Sequence, residues 1–178
     1  MKREKKHVLK LCLISMFAAM ICACTFISVP LPIGYFNLGD IVILAAAYII
    51  GFPAAISAAV GAALADVLMG YTVYAPATAI IKGLCVVIAC VILLATKKLA
   101  NNRGLSIARY VIASLAAEAF MVLGYFFFEA LILSYGTGAL ASIPGNCIQG
   151  ACGVVGSVAI YAALYLSGAE RSIRKWID

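Results

Sequence analysis

LGDIVILAAAYIIGFPAAISAAVGAALADVLMG, residues 38–70, is apolar except for Asp40, Ser57 and Asp66. As one helix it would extend about 50 Å at roughly 1.5 Å per residue, too long for a hydrocarbon core about 30 Å thick unless strongly tilted. Broken at Gly51-Phe52-Pro53, it becomes two short helices, and Gly and Pro are the residues expected where a helix stops and the chain turns. The basic residues decide between these readings. Of the 13 Lys and Arg residues, all but Lys82 fall in the first ten residues, in 97–109 or in the last eight. With one helix over 38–70, the 97–109 segment would face away from the amino terminus, against the tendency of Lys and Arg to stay on the cytoplasmic side. With two, all three clusters share one side. The expectation is therefore an all-α integral membrane protein with both termini cytoplasmic. Its six transmembrane helices, near 8–28, 39–51, 54–70, 76–96, 107–135 and 144–167, form a single domain over 1–178.

Composition supports that class. The chain is 66% hydrophobic and 11% charged, too little polar material to cover the surface of a soluble domain. The net charge of +6 comes from residues that flank apolar spans, so it marks topology rather than nucleic-acid binding. The seven cysteines are odd in number, lie in apolar stretches and form no CxxC pair, and the one histidine, His7, is in the basic leader. No metal site, cofactor or disulfide framework is expected. The leader and following apolar run resemble a signal peptide, but its removal would set the remaining basic clusters on opposite sides; an uncleaved first helix is expected.

Residues 29–39, 71–75 and 136–143 then face outwards, and none contains Lys or Arg. The first is too apolar for a solvated loop and too rich in Pro and Gly for a helix. It reads as a re-entrant segment or lid on the bundle, with a plain hydrophobic connector as the alternative. Beneath it the intramembrane polar groups converge. Counting along each helix puts Asp66, Lys82, Glu129, Asn146 and Gln149 at similar depth on the outer side. Ser114, Glu118, Tyr125 and Glu129 share one face of the fifth helix. An ionisable group at such depth needs a partner or a wet cavity. Asp66 and Lys82 are expected either to neutralise one another as a buried ion pair or to join the site. Glu129, Asn146 and Gln149 are expected to touch a ligand, whereas Glu118, about 16 Å further along the axis, reads as structural. Tyr74, like Tyr35, Phe36 and Tyr71, is either an interfacial belt residue or a stacking surface for a flat heterocycle.

Walker, HExxH and GxSxG motifs are absent, as is any nucleophile–base pair, so the chain is not expected to be an enzyme or to hydrolyse ATP itself. Phe36-Asn37-Leu38-Gly39-Asp40, Gly51-Phe52-Pro53, Gly61 to Asp66 and Tyr74 to Gly83 together resemble the substrate-binding S components of energy-coupling factor (ECF) vitamin transporters, in the subgroup associated with riboflavin, pyridoxine and hydroxymethylpyrimidine. The resemblance covers nearly the whole chain. It implies a bacterial cell-membrane protein that captures a vitamin, closes the loop after helix 1 over it, and joins a transmembrane coupling subunit with two ATPases. Ala19 and Ala23 match the small-residue motif that docks on the coupling subunit. The substrate-binding residues expected are Asn37, Tyr74, Lys82, Tyr125, Glu129, Asn146 and Gln149. Their carboxylate, carboxamides and tyrosines suit a neutral or weakly basic pyridine or pyrimidine, such as a vitamin B6 form or hydroxymethylpyrimidine, rather than riboflavin. The competing reading is a stand-alone, proton-coupled oligomeric transporter or channel using Glu118 and Glu129.

Overall fold

The computed structural model describes residues 2–31 and 33–168. Arg171, Arg174 and Lys175 of the last basic cluster lie outside the described residues. Six α-helices run in the order α1 (Lys2–Phe26), α2 (Gly39–Ile50), α3 (Ala54–Leu68), α4 (Ala75–Ala95), α5 (Arg103–Phe127) and α6 (Ile143–Ser167). The segment between α1 and α2 is a small antiparallel hairpin of β1 (Ser28–Pro30) and β2 (Tyr35–Asn37), with Ser28 opposite Asn37 and Pro30 opposite Tyr35.

Local chemistry explains the boundaries. α1 starts at Lys2, ahead of the apolar pattern, because Lys, Arg and Glu propagate a helix well and Glu4 in its first turn complements the helix dipole. α2 stops at Gly51, whose φ of +67° is accessible without the Cβ penalty other residues meet. α5 passes directly into a π turn over Phe128–Ile132 and ends before Ser134, which has φ +58°. Four helical stretches are long and apolar enough to cross a membrane: Lys6–Phe26, Ala75–Ala95, Gly104–Ile132 and Gly136–Ser167. α2 and α3 are shorter, at 12 and 15 residues.

The helices pack as a closed ring in the order α1, α3, α4, α5, α6, α2 and back to α1, with α2 also reaching across to α4. That contact places α2 furthest inside: nine of its 12 residues are buried, which explains why its sequence is apolar on every side. The outward faces of the other helices carry exposed Leu94, Ile112, Leu123 and Val155, a surface suited to acyl chains rather than water. Between helices, small residues set the spacing. Gly61 of α3 lies against the backbone of Ala18 on α1, and Gly156 of α6 against the Ile41 side chain on α2. In lipid, where apolar burial between helices adds little, such close approach supplies the van der Waals contact that holds them.

A Cβ at Gly61 would run into the Ala18 carbonyl, an atom of a helix backbone that cannot step aside. Gly61→Ala is expected to lower stability by about 1–3 kcal/mol through overpacking. Gly138→Ala, where a Cβ meets nothing within 4 Å, should be near neutral. Thermal unfolding of the detergent-solubilised variants compares the two.

Candidate functional site

The hairpin end of the bundle contains a connected polar network. Asn37, the last residue of β2, turns its Oδ1 to accept from the Gly39 amide at 2.8 Å, satisfying one of the unpaired N–H groups that open α2. Its backbone N–H and its Nδ2 both donate to Gln149 Oε1 on α6, at 3.0 and 3.1 Å. Gln149 Nε2 in turn donates to Asp40 Oδ2 at 2.6 Å. Only this orientation of the Gln149 amide serves both neighbours, since a carboxylate accepts and cannot donate. Asp40 also receives Lys82 Nζ from α4, at 2.6 Å to Oδ1 and 2.9 Å to Oδ2. The Lys82 ammonium lies 5.4 Å from the centre of the Tyr125 ring on α5, and Tyr125 donates its hydroxyl to Thr78 Oγ1 at 3.0 Å. One hydrogen-bonded chain therefore ties the hairpin to α6, α2 and α4, and a cation–π contact extends it to α5.

The pairing of Lys82 corrects the expectation from sequence. Its partner is Asp40, not Asp66. Both Lys82 and Asp40 are about 3% exposed, so the pair is fully withdrawn from solvent. Asp66 instead accepts a hydrogen bond from the Tyr35 hydroxyl on β2. In sequence, Asp40 opens the second helix next to the outward-facing segment 29–39 and is not among the polar groups counted at depth. The hairpin occupies that outer layer, so α2 begins level with the second turn of α4, about 10 Å beyond Ala75. Asp40 was visible as the single charge on an otherwise apolar helix, and burial alone demanded a partner for it.

Beside this network a pocket is lined by all seven residues expected at the site: Asn37, Tyr74, Lys82, Tyr125, Glu129, Asn146 and Gln149. Tyr35, Asp66, Thr25 and Thr78 line it as well and were not among them. Glu129 stands in the π turn and is 2% exposed. Tyr74 donates to Glu129 Oε1 at 3.4 Å, a long contact. Oε2 of Glu129 and Oδ2 of Asp66 are buried with no partner among the described residues. Buried acceptors left unpaired are costly, which marks both as places for an incoming donor. Over the mouth, Tyr35, Tyr71, Tyr74 and Phe128 form a run of ring contacts with successive centroid separations of 4.7, 6.4 and 5.5 Å. The Tyr35 and Tyr74 hydroxyls have pKa values raised above the ordinary tyrosine value, by burial first and then by the carboxylates they face, so both remain donors.

The cavity volume is only about 30 Å³. At roughly 10–15 Å³ per water centre, that is room for two or three waters. A vitamin-sized ligand does not fit that volume in this conformation. Glu118 is separate. It is buried against Gly150 and Gly153 of α6, behind Asp40, and does not line the pocket. Ala19 and Ala23 are exposed on the outer face of α1, while the neighbouring Ala18 packs inwards on Gly61.

A family model described as ECF-type riboflavin transporter, S component, matches residues 5–166. None of the curated proteins compared with the chain matches it.

Removing one member of the buried pair strands the other. Asp40→Asn or Lys82→Met is expected to destabilise by about 3–5 kcal/mol, the usual result of uncoupling a buried ion pair. Asp66→Asn should cost much less, since an amide oxygen still accepts from Tyr35. Equal losses from Asp40→Asn and Asp66→Asn in thermal unfolding would contradict the observed pairing.

Proposed function

We propose that this chain, which belongs to the ECF-type riboflavin transporter S component family, captures a neutral or weakly basic pyridine or pyrimidine vitamin or precursor in the pocket beneath the hairpin. As a member of that family it is a multi-pass membrane protein and the substrate-binding subunit of a vitamin transporter. The observation that carries the substrate reading is the charge count of the pocket. Lys82 is the one cation among its described lining residues and is already engaged by Asp40. Asp66 and Glu129 each keep a carboxylate oxygen without a donor. A phosphorylated ligand would find no free cation and two repelling carboxylates, whereas a ring with hydroxyl, amino or protonated nitrogen groups would supply the missing donors. Vitamin B6 in an unphosphorylated form and hydroxymethylpyrimidine have that character. Riboflavin is the second reading, favoured by the description of the matching family and by the row of aromatic rings at the mouth, which suits a broad flat ligand.

In this proposal all six helices span the bilayer with both termini in the cytoplasm, and the hairpin is the lid. Its opening releases Asp66 from Tyr35, the ligand's donors reach Asp66 and Glu129, and closure restores the Asn37–Gln149 bonds. Transport then requires a transmembrane coupling subunit and two ATPase subunits, with α1 docking through the exposed Ala19 and Ala23. Two flat methyl-sized positions one turn apart allow a partner helix to approach closely.

Thermal unfolding of the purified protein against a panel of B vitamins and precursors tests the substrate, because a ligand bound only to the folded state stabilises it by about 2.7 kcal/mol at 100 times its Kd. A pyridine or pyrimidine hit is expected. Tight riboflavin binding with no such hit would reverse the substrate assignment. Glu129→Gln is expected to weaken binding by about 10-fold to 100-fold, the range of a charge-assisted hydrogen bond. Ala19→Leu or Ala23→Leu should leave binding intact and reduce assembly with the coupling subunit and uptake. Unchanged uptake would remove α1 as the docking face.

A further inference from the structure

A second cavity lies at the opposite end of the bundle, where α2 and α4 end, α5 begins and α6 makes its last turns. Its volume is about 500 Å³, within the roughly 300–1,000 Å³ usual for small-molecule sites. We infer that it holds the phosphate headgroup and upper acyl chain of an anionic phospholipid.

Charge is the first ground. Lys97 and Arg109 line the cavity, and no Asp or Glu does so among the described residues. Arg109 is half-buried and already donates twice at the end of α4, through Nε to Thr96 Oγ1 at 3.1 Å and through Nη2 to the Leu93 carbonyl. A guanidinium has five N–H donors, so three remain beyond these two bonds, and among the described residues no carboxylate pairs with Arg109 or Lys97. The site therefore offers one fixed, forked cation and one flexible point charge. That is the donor set for a phosphate.

Shape separates a lipid from a free phosphate. Phe52 and Leu94 of the lining are 46% and 62% exposed. These exposed apolar side chains beside the cations give an acyl chain a surface to follow, which a free phosphate would not need. The cavity floor is aromatic and rigid. The Tyr161 ring stacks on Tyr165 at 5.9 Å, and its hydroxyl shares a 2.7 Å hydrogen bond with Ser106. Tyrosines beside basic residues are the usual anchors at the level of lipid headgroups, and basic pockets between helices on that side hold anionic head groups. The inference requires the chain to span a membrane but is independent of which vitamin the other pocket takes.

Native mass spectrometry and thermal unfolding of the full chain in detergent, with added phosphatidylglycerol, phosphatidylcholine or inorganic phosphate, test it. Phosphatidylglycerol is expected to be retained and to stabilise, and phosphatidylcholine to do neither. Lys97→Gln should weaken phosphatidylglycerol retention by about fivefold, the contribution of one basic residue near an anionic headgroup. Lys98→Gln, at an exposed position outside the cavity lining, should leave it unchanged. Leu94→Trp, which fills the mouth without changing charge, should also reduce retention. Equal retention of the two lipids, equal effects of Lys97→Gln and Lys98→Gln, or the same stabilisation by inorganic phosphate alone would each overturn the assignment. Vitamin binding, measured on the same variants, reports separately on the other pocket.

Discussion

The arrangement of the hairpin end of the bundle turns on the need to neutralise one ammonium group withdrawn from bulk solvent. Lys82 emerges from the middle of an apolar helix, and an isolated charge there costs several kcal/mol. Asp40 meets that need, but only if the first turn of α2 comes to the level of the second turn of α4. That pairing accompanies the reach of α2 across the ring to α4, and the hairpin leads directly into the turn that carries Asp40. Gln149 then completes the third donor to Asp40, and its oxygen holds Asn37. The position of the hairpin is thus coupled, through three short hydrogen-bonded links, to a charge buried two helices away.

The same pairing determines what the pocket presents to a ligand. With Asp40 spent on Lys82, the pocket retains the acceptor oxygens of Asp66 and Glu129 and no uncommitted cation among its described lining residues. Had Lys82 paired with Asp66, Asp40 would have been the stranded acid, below the mouth and against α6. The acceptors that remain face the aromatic rings instead, so hydrogen-bond direction and a stacking surface meet at the same opening. The π turn contributes here too. Glu129 lies within it and accepts from Tyr74, and such unusual helical geometry tends to accompany functional positions.

Much of this was legible in the residues. The Gly51-Phe52-Pro53 break, the apolar runs and the convergence of Lys82, Glu129, Asn146 and Gln149 all follow from composition and spacing, because in a membrane each ionisable group must be accounted for. What spacing does not encode is relative height. Of the two readings left open for Asp66 and Lys82, shared lining of the pocket is the one observed, because Asp40 at the start of α2 takes Lys82. Nor did alternation in Tyr35-Phe36-Asn37 stand out as a strand, since a three-residue pairing is too short to carry a period-two pattern. The far cavity was out of reach for a different reason. Its cations were recognised, but as markers of topology, and nothing in their spacing shows that Arg109 folds back on α4 or that the two line one cavity.

The two ends of the bundle therefore differ in kind. One is acid-lined, nearly filled and covered by a hairpin held through a few polar bonds. The other is base-lined and floored by stacked tyrosines. Along the length between them, the outward faces are leucine, isoleucine and valine with hardly any charge. The acid-lined end therefore presents acceptors to a ligand and the base-lined end presents donors, so the two cavities cannot serve one ligand chemistry.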